Sequence, residues 1–474
     1  MTRSLLRLAA LAPLVLATPL ASPVGATGEP VAATPPPPPR PSAIVLVTVD
    51  TLRADAVSFA GYGLPTTPFL DGLAQDGVVF TNAYAPSSWT PPSMASIFTG
   101  LEPASHGVTR GSLAAGEATE HVVLSDSLTT LAERLRARGR TTVGAASNRH
   151  LTRALGFAQG FDHFHDPTAF LPAPTLDLRA RELLATAFGA EWRTSWRRGS
   201  MFLWLHYFDP HDPYLPNDPW LDRHSPGRAD RTLGPPARLV MRQLKRRFPR
   251  PGPEVTALLR PLYDGEVARV DDQLRQLWQE LGADDDVLLV VTADHGEELA
   301  ERGGLGHSHS LYDELVRVPL LVRWPRGLAG GRRIDAPVTV TDLAAAIAAL
   351  DGEPLAGADR ERALPRRLAD PASAPERPVF LELHPPKPAL LAVRDGSWKL
   401  IVGATGTRAE LYDLATDPGE RRDLAGDRPE VVARLRAELE RWRAALPAPP
   451  PIRLYTSPDA ELTRQLRSLG YVDE

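Results

Sequence analysis

The sequence predicts an α/β fold: a large mixed sheet, mostly parallel and sandwiched by helices, followed by a smaller C-terminal α+β subdomain with an antiparallel sheet. Three observations carry this reading. Apolar runs at 43–49 (AIVLVTV), 201–208 (MFLWLHYF) and 287–292 (VLLVVT) are continuous, as strands covered on both faces must be. Patterns of helical spacing lie between them, which implies parallel strands joined by crossover helices. After Asp351 the pattern changes to short strand-like runs punctuated by glycine, which suits antiparallel pairing.

The elements follow in order. Residues 1–26 read as an export signal. Arg3 and Arg7 supply charge, 8–17 an apolar stretch, and Val24-Gly25-Ala26 a small-residue cleavage site. The apolar stretch is too short and too broken by proline to span a bilayer, so the mature chain is expected to be periplasmic or secreted, with no transmembrane helix. Residues 27–42 form a proline-rich linker, and TPPPPPRP favours an extended polyproline spacer. A catalytic domain is expected over 43–375 and the C-terminal subdomain over 376–474.

The strand at 43–49 ends in Asp50-Thr51. A helix is predicted at 68–76 and a strand at 78–84. Thr90 precedes Pro91-Pro92 and a short apolar helix, a place where proline fits and where Thr90 would serve as N-cap. An amphipathic helix at 128–138 stops at Gly139, and a strand follows at 141–146. A helix is expected at 176–196 before the strand at 201–208. The proline- and arginine-rich stretch 217–253 reads as an excursion or lid. A long amphipathic helix at 263–281, strands at 287–292 and 320–324, and a helix at 342–350 complete the alternation. The subdomain should contain strands at 379–383, 390–394, 398–402 and 410–414, and a helix at 429–446 packed on them.

Composition excludes several functions. The net charge is −5, and the many arginines are scattered, so nothing resembles a nucleic-acid surface. There is no cysteine, hence no disulfide, thiolate nucleophile or iron–sulfur site.

In open α/β sheets ligands bind beyond the carboxyl ends of the strands. Three strands here end in candidate ligands: Asp50, then Asp209 and His211, then Asp294 and His295. A single aspartate after a strand is usually a turn former. Three strand ends that deliver carboxylate or imidazole to one edge are not the usual pattern of turns. Gly306-His307-Ser308-His309 adds two imidazoles without a core pattern, and His206 lies just before the second strand end. Thr90, at a helix N-terminus, has backbone N–H groups and the positive dipole end around it, a natural anion site. Two carboxylates and an imidazole leave a position for a hydroxyl oxygen on zinc or a harder divalent ion.

The segments VTVDTLRAD (47–55), SSWTPPSMASIFTGLEPASHGV (87–108), HYFDPHDPY (206–214), YDGEVARVDD (263–272), VTADHGEEL (291–299) and GHSHSLYDELVRVPLLVRWP (306–325) carry a family resemblance. So do AVRDGSWKLI, ELYDLATDPGE and LRSLGYVDE near the end. In these segments and their order the chain resembles the sulfatase branch of the alkaline phosphatase superfamily. The resemblance implies that fold, with Asp50, Asp294, His295 and Thr90 on one divalent metal and Thr90 as nucleophile. It implies that His211 and His307 serve the anion and leaving group, His307 standing where sulfatases place a lysine. His206, Asp209, His309 and Arg53 are expected to contact the substrate. Zinc is favoured by the imidazole ligand, with calcium, magnesium or manganese as alternatives and a second metal conceivable around Asp209, His211, His307 and His309.

The departures matter. Sulfatases carry a cysteine or serine at the Thr90 position and oxidise it to formylglycine, whereas the secondary alcohol of threonine cannot become an aldehyde. Met94 replaces the family's arginine, and Thr51 the second aspartate of its Asp-Asp pair. The expected activity is therefore metal-dependent hydrolysis of a small-molecule, lipid or glycan phosphate or sulfate ester through unmodified Thr90. Formylglycine-free sulfate hydrolysis, phospho-headgroup transfer in the cell envelope and non-catalytic envelope binding are the alternatives.

Overall fold

The computed structural model describes residues 40–109, 112–115, 118–198, 200–214, 220, 244, 248, 251–370, 376–384, 389–403, 406 and 408–457. The export signal at 1–26, most of the linker, most of the 217–253 excursion and the family-like stretch 466–474 lie outside these residues.

A nine-stranded sheet runs through the core of the described residues. Its order is Arg332–Ile334, Val78–Tyr84, Arg317–Arg323, Val287–Ala293, Ala43–Val49, Met201–Tyr207, Thr141–Ala146 and His163–His165, with Val338–Thr339 also pairing beside Val78–Tyr84. Ala43–Val49 sits in the middle, wholly buried, and pairs in parallel with both neighbours. The register sets Val49 beside Tyr207 on one side and Ala293 on the other. The next residues of all three strands, among them Asp50 and Asp294, therefore emerge at one edge.

One strand departs from the expected alternation. Arg317–Arg323 is antiparallel to both Val287–Ala293 and Val78–Tyr84. A parallel return needs a crossover of a dozen or more residues, usually a helix. The 294–316 connection instead spends its length on site loops, and its helix, Asp313–Val316, has four residues.

Helix boundaries differ where caps and prolines mislead. The 128–138 pattern yields Leu131–Ala137, because Thr130 and Glu133 form a reciprocal capping box at its start. The predicted 176–196 helix divides into Ala173–Phe188 and Trp192–Ser195, broken at Gly189. The 263–281 helix begins earlier, at Pro253, and passes through Pro261, because Val255, Leu259 and Tyr263 bury one continuous face across the proline. A three-stranded sheet absent from the prediction joins Ser112–Ala115, Ala118–Val123 and Arg453–Ser457, so chain from beyond the C-terminal helix returns to the N-terminal half.

The C-terminal sheet is as expected: Val379–Leu383, Leu390–Asp395, Trp398–Gly403 and Ala409–Asp413, antiparallel in that order. Leu381, Leu383 and Ile401 pack with Tyr84, Leu311, Leu315 and Val316 of the main body. Val393, Leu400 and Leu411 pack with Leu435 and Leu439 of the helix Pro429–Ala445.

Where that sheet meets the main body a lysine is buried. Lys399 Nζ, fully buried, lies 2.7 Å from Asp313 Oδ1 and 2.8 Å from Glu420 Oε1. Tyr84 also donates to Asp313. Removing one partner of a buried ion cluster strands the opposite charges and costs about 3–5 kcal/mol. Lys399→Met keeps the volume but not the charge. The unfolding free energy from its denaturant curve should fall by an amount in that range, whereas an exposed control such as Arg434→Met should hold within about 0.5 kcal/mol.

Glu102 gives a pH signature. Burial, followed by the charges of Glu382 and Asp342, pushes its carboxyl up to about 8, and Oε2 is buried without a hydrogen-bond partner. A carboxyl raised on folding contributes its full share of stability below its ordinary value near 4.5. That share is lost as pH rises through about 8. Glu102→Gln should therefore gain melting temperature relative to the parent at pH 9 and little or none at pH 5. The same gain at both pH values would contradict the assignment.

Candidate active site

The site is built on the edge that the central register creates. Thr90 opens the ten-residue helix Thr90–Thr99. It is not the N-cap: Trp89 holds that position and makes no side-chain capping bond. The Thr90 hydroxyl turns inward instead. Its Oγ1 lies 3.1 Å from His295 Nε2 and donates to Asp50 Oδ1 at 3.5 Å. His295 Nε2 is 3.5 Å from Asp294 Oδ2 and 3.7 Å from Asp50 Oδ1. Thr90, Asp50, Asp294 and His295 are all fully buried. The four side chains singled out from distant parts of the sequence thus converge.

Backbone geometry supports the convergence. A Cβ on Gly296 would lie 2.1 Å from the carbonyl oxygen of Glu314, so only glycine lets the Asp294-His295 turn lie flat against that strand approach. Thr51 has φ +55, a left-handed conformation unusual for a β-branched residue, and its N–H donates to Asp294 Oδ1 at 3.3 Å. That strain is held by Tyr263, whose hydroxyl donates to the Thr51 carbonyl at 2.7 Å and accepts from Arg53 N–H at 2.9 Å.

The electrostatics match a cation site. Burial alone would raise the Asp50 carboxyl, but the His206 contact and the charges of His211, His206 and His295 outweigh it and hold it at about 2. Burial and the neighbouring Asp50 charge push Asp294 up. Asp294 Oδ2 is buried without a hydrogen-bond partner, and His206 Nε2 reaches Asp50 Oδ2 only at 3.4 Å. His295 Nδ1 is 2.9 Å from the Gly296 carbonyl, which can only accept, so the ring carries its proton there and turns a lone pair at Nε2 toward Thr90 and the carboxylates. Two adjoining carboxylates, an orphaned oxygen and an imidazole lone pair fit a divalent cation. Donor atoms of Asp50, His206 and Asp294 lie within 4.8 Å of one another, so His206, expected among the substrate contacts, sits with the two carboxylates.

His211 and His307 also arrive. Their rings lie 5.0 Å apart, and the His307 ring is 4.6 Å from that of His295. His211 stacks on Phe208 and donates through Nδ1 to the Asp212 carbonyl at 2.7 Å. Burial would lower this histidine, but the charges of Asp212, Asp50 and Glu297 raise it above its ordinary value.

Three expected substrate contacts are engaged elsewhere. Asp209 pairs with Arg269 and accepts the Ala173 N–H at 2.5 Å, holding a helix start. His309 is bound to Glu298 at 2.6 Å and is partly exposed. Arg53 forks onto Asp55, with Nε and Nη2 both at 2.8 Å, and its Nη1 donates to the Glu297 carbonyl and to Glu301. A second cation group does occur among the described residues, but its members are His211, Asp212 and Glu297 rather than the set containing Asp209 and His309.

Sequence reading missed Asn148 and Glu297. Asn148 donates to Asp50 Oδ2 at 2.6 Å. It follows the strand Thr141–Ala146, so the strand-end rule applied to a fourth strand could have found it. Glu297, fully buried, lies 2.9 Å from His307 Nδ1, accepts from the Tyr214 hydroxyl and sits in the same turn as Asp294 and His295; burial pushes its carboxyl up to about 8.

The model of the sulfatase family matches residues 42–352. The chain belongs to the sulfatase family. It is 29% identical to arylsulfatase A of Homo sapiens over 491 residues, covering 86% of this chain and 89% of that protein. It is 28% identical to steryl-sulfatase of Mus musculus over 541 residues, covering 90% and 85%. Among solved structures, the phosphonate monoester hydrolase of Agrobacterium radiobacter superposes with a TM-score of 0.64 at 24% identity, covering 85% of this chain and 96% of that one. A protein solved in complex with its substrate, D-glucosamine-2-N,6-O-disulfate, superposes at 0.66 with 19% identity, covering 86% and 98%. At these identities the two structures speak to the fold alone. This sulfatase-family chain is accordingly an ester hydrolase of alkaline-phosphatase-like fold. Among the described residues no helix is long and apolar enough to cross a membrane.

Proposed function

We propose that this sulfatase-family protein hydrolyses phosphate or phosphonate esters, phosphodiesters above all, through a covalent intermediate on Thr90. The observation that carries the reading is the Thr90 hydroxyl, buried within 3.1 Å of His295 and 3.5 Å of Asp50 at the head of a helix. An aldehyde hydrate can expel a bound ester by reforming its carbonyl, and threonine has no such route. A threonine ester must be opened by water at the central atom, an in-line displacement for which phosphorus is well suited.

Asp50, Asp294 and His295, with His206 adjoining, would hold one divalent cation, and the mixed carboxylate and imidazole donors favour zinc. When bound there, such an ion would lower the pKa of the Thr90 hydroxyl and neutralise the anionic ester oxygens. The chain's own groups do the rest. Thr90, its hydroxyl proton first lost to solvent, attacks phosphorus as the alkoxide Oγ and later departs as the same alkoxide. While Oγ bonds phosphorus the bond to the leaving alcohol breaks, and that alcohol oxygen takes the electron pair and a proton from imidazole. Pro91 and Pro92 carry no N–H and the Ser93 N–H is taken by the Trp89 carbonyl, so the Thr90 N–H and the positive end of the helix are what its first turn offers the equatorial oxygens. His211 lies beside them. In the second half a water gives its proton back to the imidazole, its oxygen bonds phosphorus, and Thr90 Oγ departs. Two in-line steps give net retention at phosphorus.

We further propose that residues 1–26 direct export, so that the enzyme works in the periplasm or outside the cell, and that 376–474 forms a subdomain shaping access for a small-molecule, lipid or glycan ester. Sulfate ester hydrolysis is the second reading, supported by the names of the curated relatives. Aryl phosphodiester, aryl phosphonate and aryl sulfate substrates sharing one phenol, assayed on the purified full chain, separate the two. Phosphorus esters should be turned over faster. A higher kcat/KM for the sulfate would overturn the phosphorus assignment.

A further inference from the structure

His307 stands where the family resemblance places a lysine. Lysine carries its charge unaided. A histidine must be told which ring nitrogen faces the chemistry, and a neighbour has to do so. Glu297 is placed for that task. Its Oε1 lies 2.9 Å from His307 Nδ1, and its Oε2 accepts from the Tyr214 hydroxyl at 3.2 Å. The Glu297 carbonyl receives Arg53 at 3.0 Å, so the residue is braced at both ends. The backbone of the His307 loop is fixed as well. Ser308, at φ +61, donates its N–H to the Ser88 carbonyl at 3.0 Å, and Ser88 Oγ donates to the Ser310 carbonyl at 2.8 Å. This stitches the loop to the approach of the Thr90 helix. The ring packs against those of His211 and His295, and the Glu297 contact fixes which nitrogen faces the carboxyl.

With Nδ1 and the Glu297 carboxyl sharing one proton, Nε2 is the ring nitrogen that can turn toward a substrate. Tyr214 sits three residues beyond His211, so Glu297 also ties the His211 loop to the His307 ring, consistent with the 5.0 Å separation of the two imidazoles. We propose that Glu297 is the positioning residue for the leaving-group acid: it orients His307 so that Nε2–H delivers the proton to the departing oxygen. The inference rests on the Thr90 reading above. As the Thr90 Oγ–P bond forms, the P–O bond to the alcohol breaks, its electron pair goes to the alcohol oxygen, and the Nε2 proton follows. Water later returns that proton to Nε2.

The test is a leaving-group series of aryl phosphodiesters, from 4-nitrophenol to unsubstituted phenol, on the full chain with its cation. A good leaving group departs without a proton and a poor one does not. Glu297→Ala should lose about 10²-fold in kcat on the phenyl ester, tenfold or less on the 4-nitrophenyl ester, and change KM little. Glu297→Gln, which keeps an oxygen for Nδ1–H, should fall between and serves if the alanine variant folds poorly. The double variant with His307→Ala should be no slower than His307→Ala alone. Equal losses across the series, losses that add to those of His307→Ala, or a Gln variant indistinguishable from the parent while His307→Ala is slow would each overturn the proposal. Thr90→Ala run beside them keeps the two claims apart. Activity there defeats the nucleophile, whereas a dead Thr90→Ala with a flat Glu297 series defeats only the positioning role.

Discussion

Thr90→Ala should lower kcat/KM for an aryl phosphodiester by about 10³-fold or more while leaving the fold intact. Both halves follow from the same geometry. The hydroxyl points at His295 and Asp50, so its loss removes the alcohol that faces this buried cluster. Yet the helix does not depend on it, because Thr90 is the first helical residue and no side-chain cap is formed. Losing one buried hydroxyl should cost about 1 kcal/mol of stability. Thr90→Ser keeps an alcohol in place and should keep turnover. The checks are steady-state kinetics and a melting curve on the same samples.

Exhaustive chelation should have an effect of similar size and add a stability signature. Activity should fall on the order of 10³-fold, since cation and nucleophile act as a unit. Without a cation the buried Asp50 and Asp294 carboxylates face each other, and the repulsion that raises Asp294 is borne by the fold. The melting temperature should therefore drop on chelation and return with added zinc, as for any ligand that binds only the native state. Asp294→Asn separates charge from catalysis. It removes one member of the repelling pair, so its chelated form should be at least as stable as the chelated parent. It should nevertheless stay inactive when zinc returns. A chelated parent with unchanged activity and melting temperature would show that the carboxylate pair is structural.

The residues that could be read from the sequence are those set by backbone position. A run such as Ala43–Val49 must be a buried strand, parallel neighbours put their ends at one edge, and Asp50, Asp294, His295 and His211 follow from that. Thr90 was visible through Pro91-Pro92, although its place at the cap was off by one, a difference set by backbone torsions that sequence does not display. Arg53, Asp209 and His309 look like site residues by position, and each also pairs with a neighbour, respectively Asp55 with Glu301, Arg269, and Glu298. Only folded contacts show that. Asn148 and Glu297 escaped for the converse reason: an amide or carboxylate acquires its role from the Asp50 oxygen or His307 nitrogen it meets in space. The antiparallel Arg317–Arg323 strand was hidden because a loop full of site residues occupies the place of a crossover helix.

The central claim is that an unmodified threonine alcohol carries the ester during turnover. The measurement that bears on it most directly is rapid acid quenching of the full chain, with its cation, during hydrolysis of an aryl phosphodiester, followed by peptide mass spectrometry. The account predicts a phosphoryl ester on Thr90 that appears within the first turnover and decays as substrate is exhausted. A Thr90 peptide that stays unmodified throughout turnover, with inversion rather than retention at phosphorus, would contradict it.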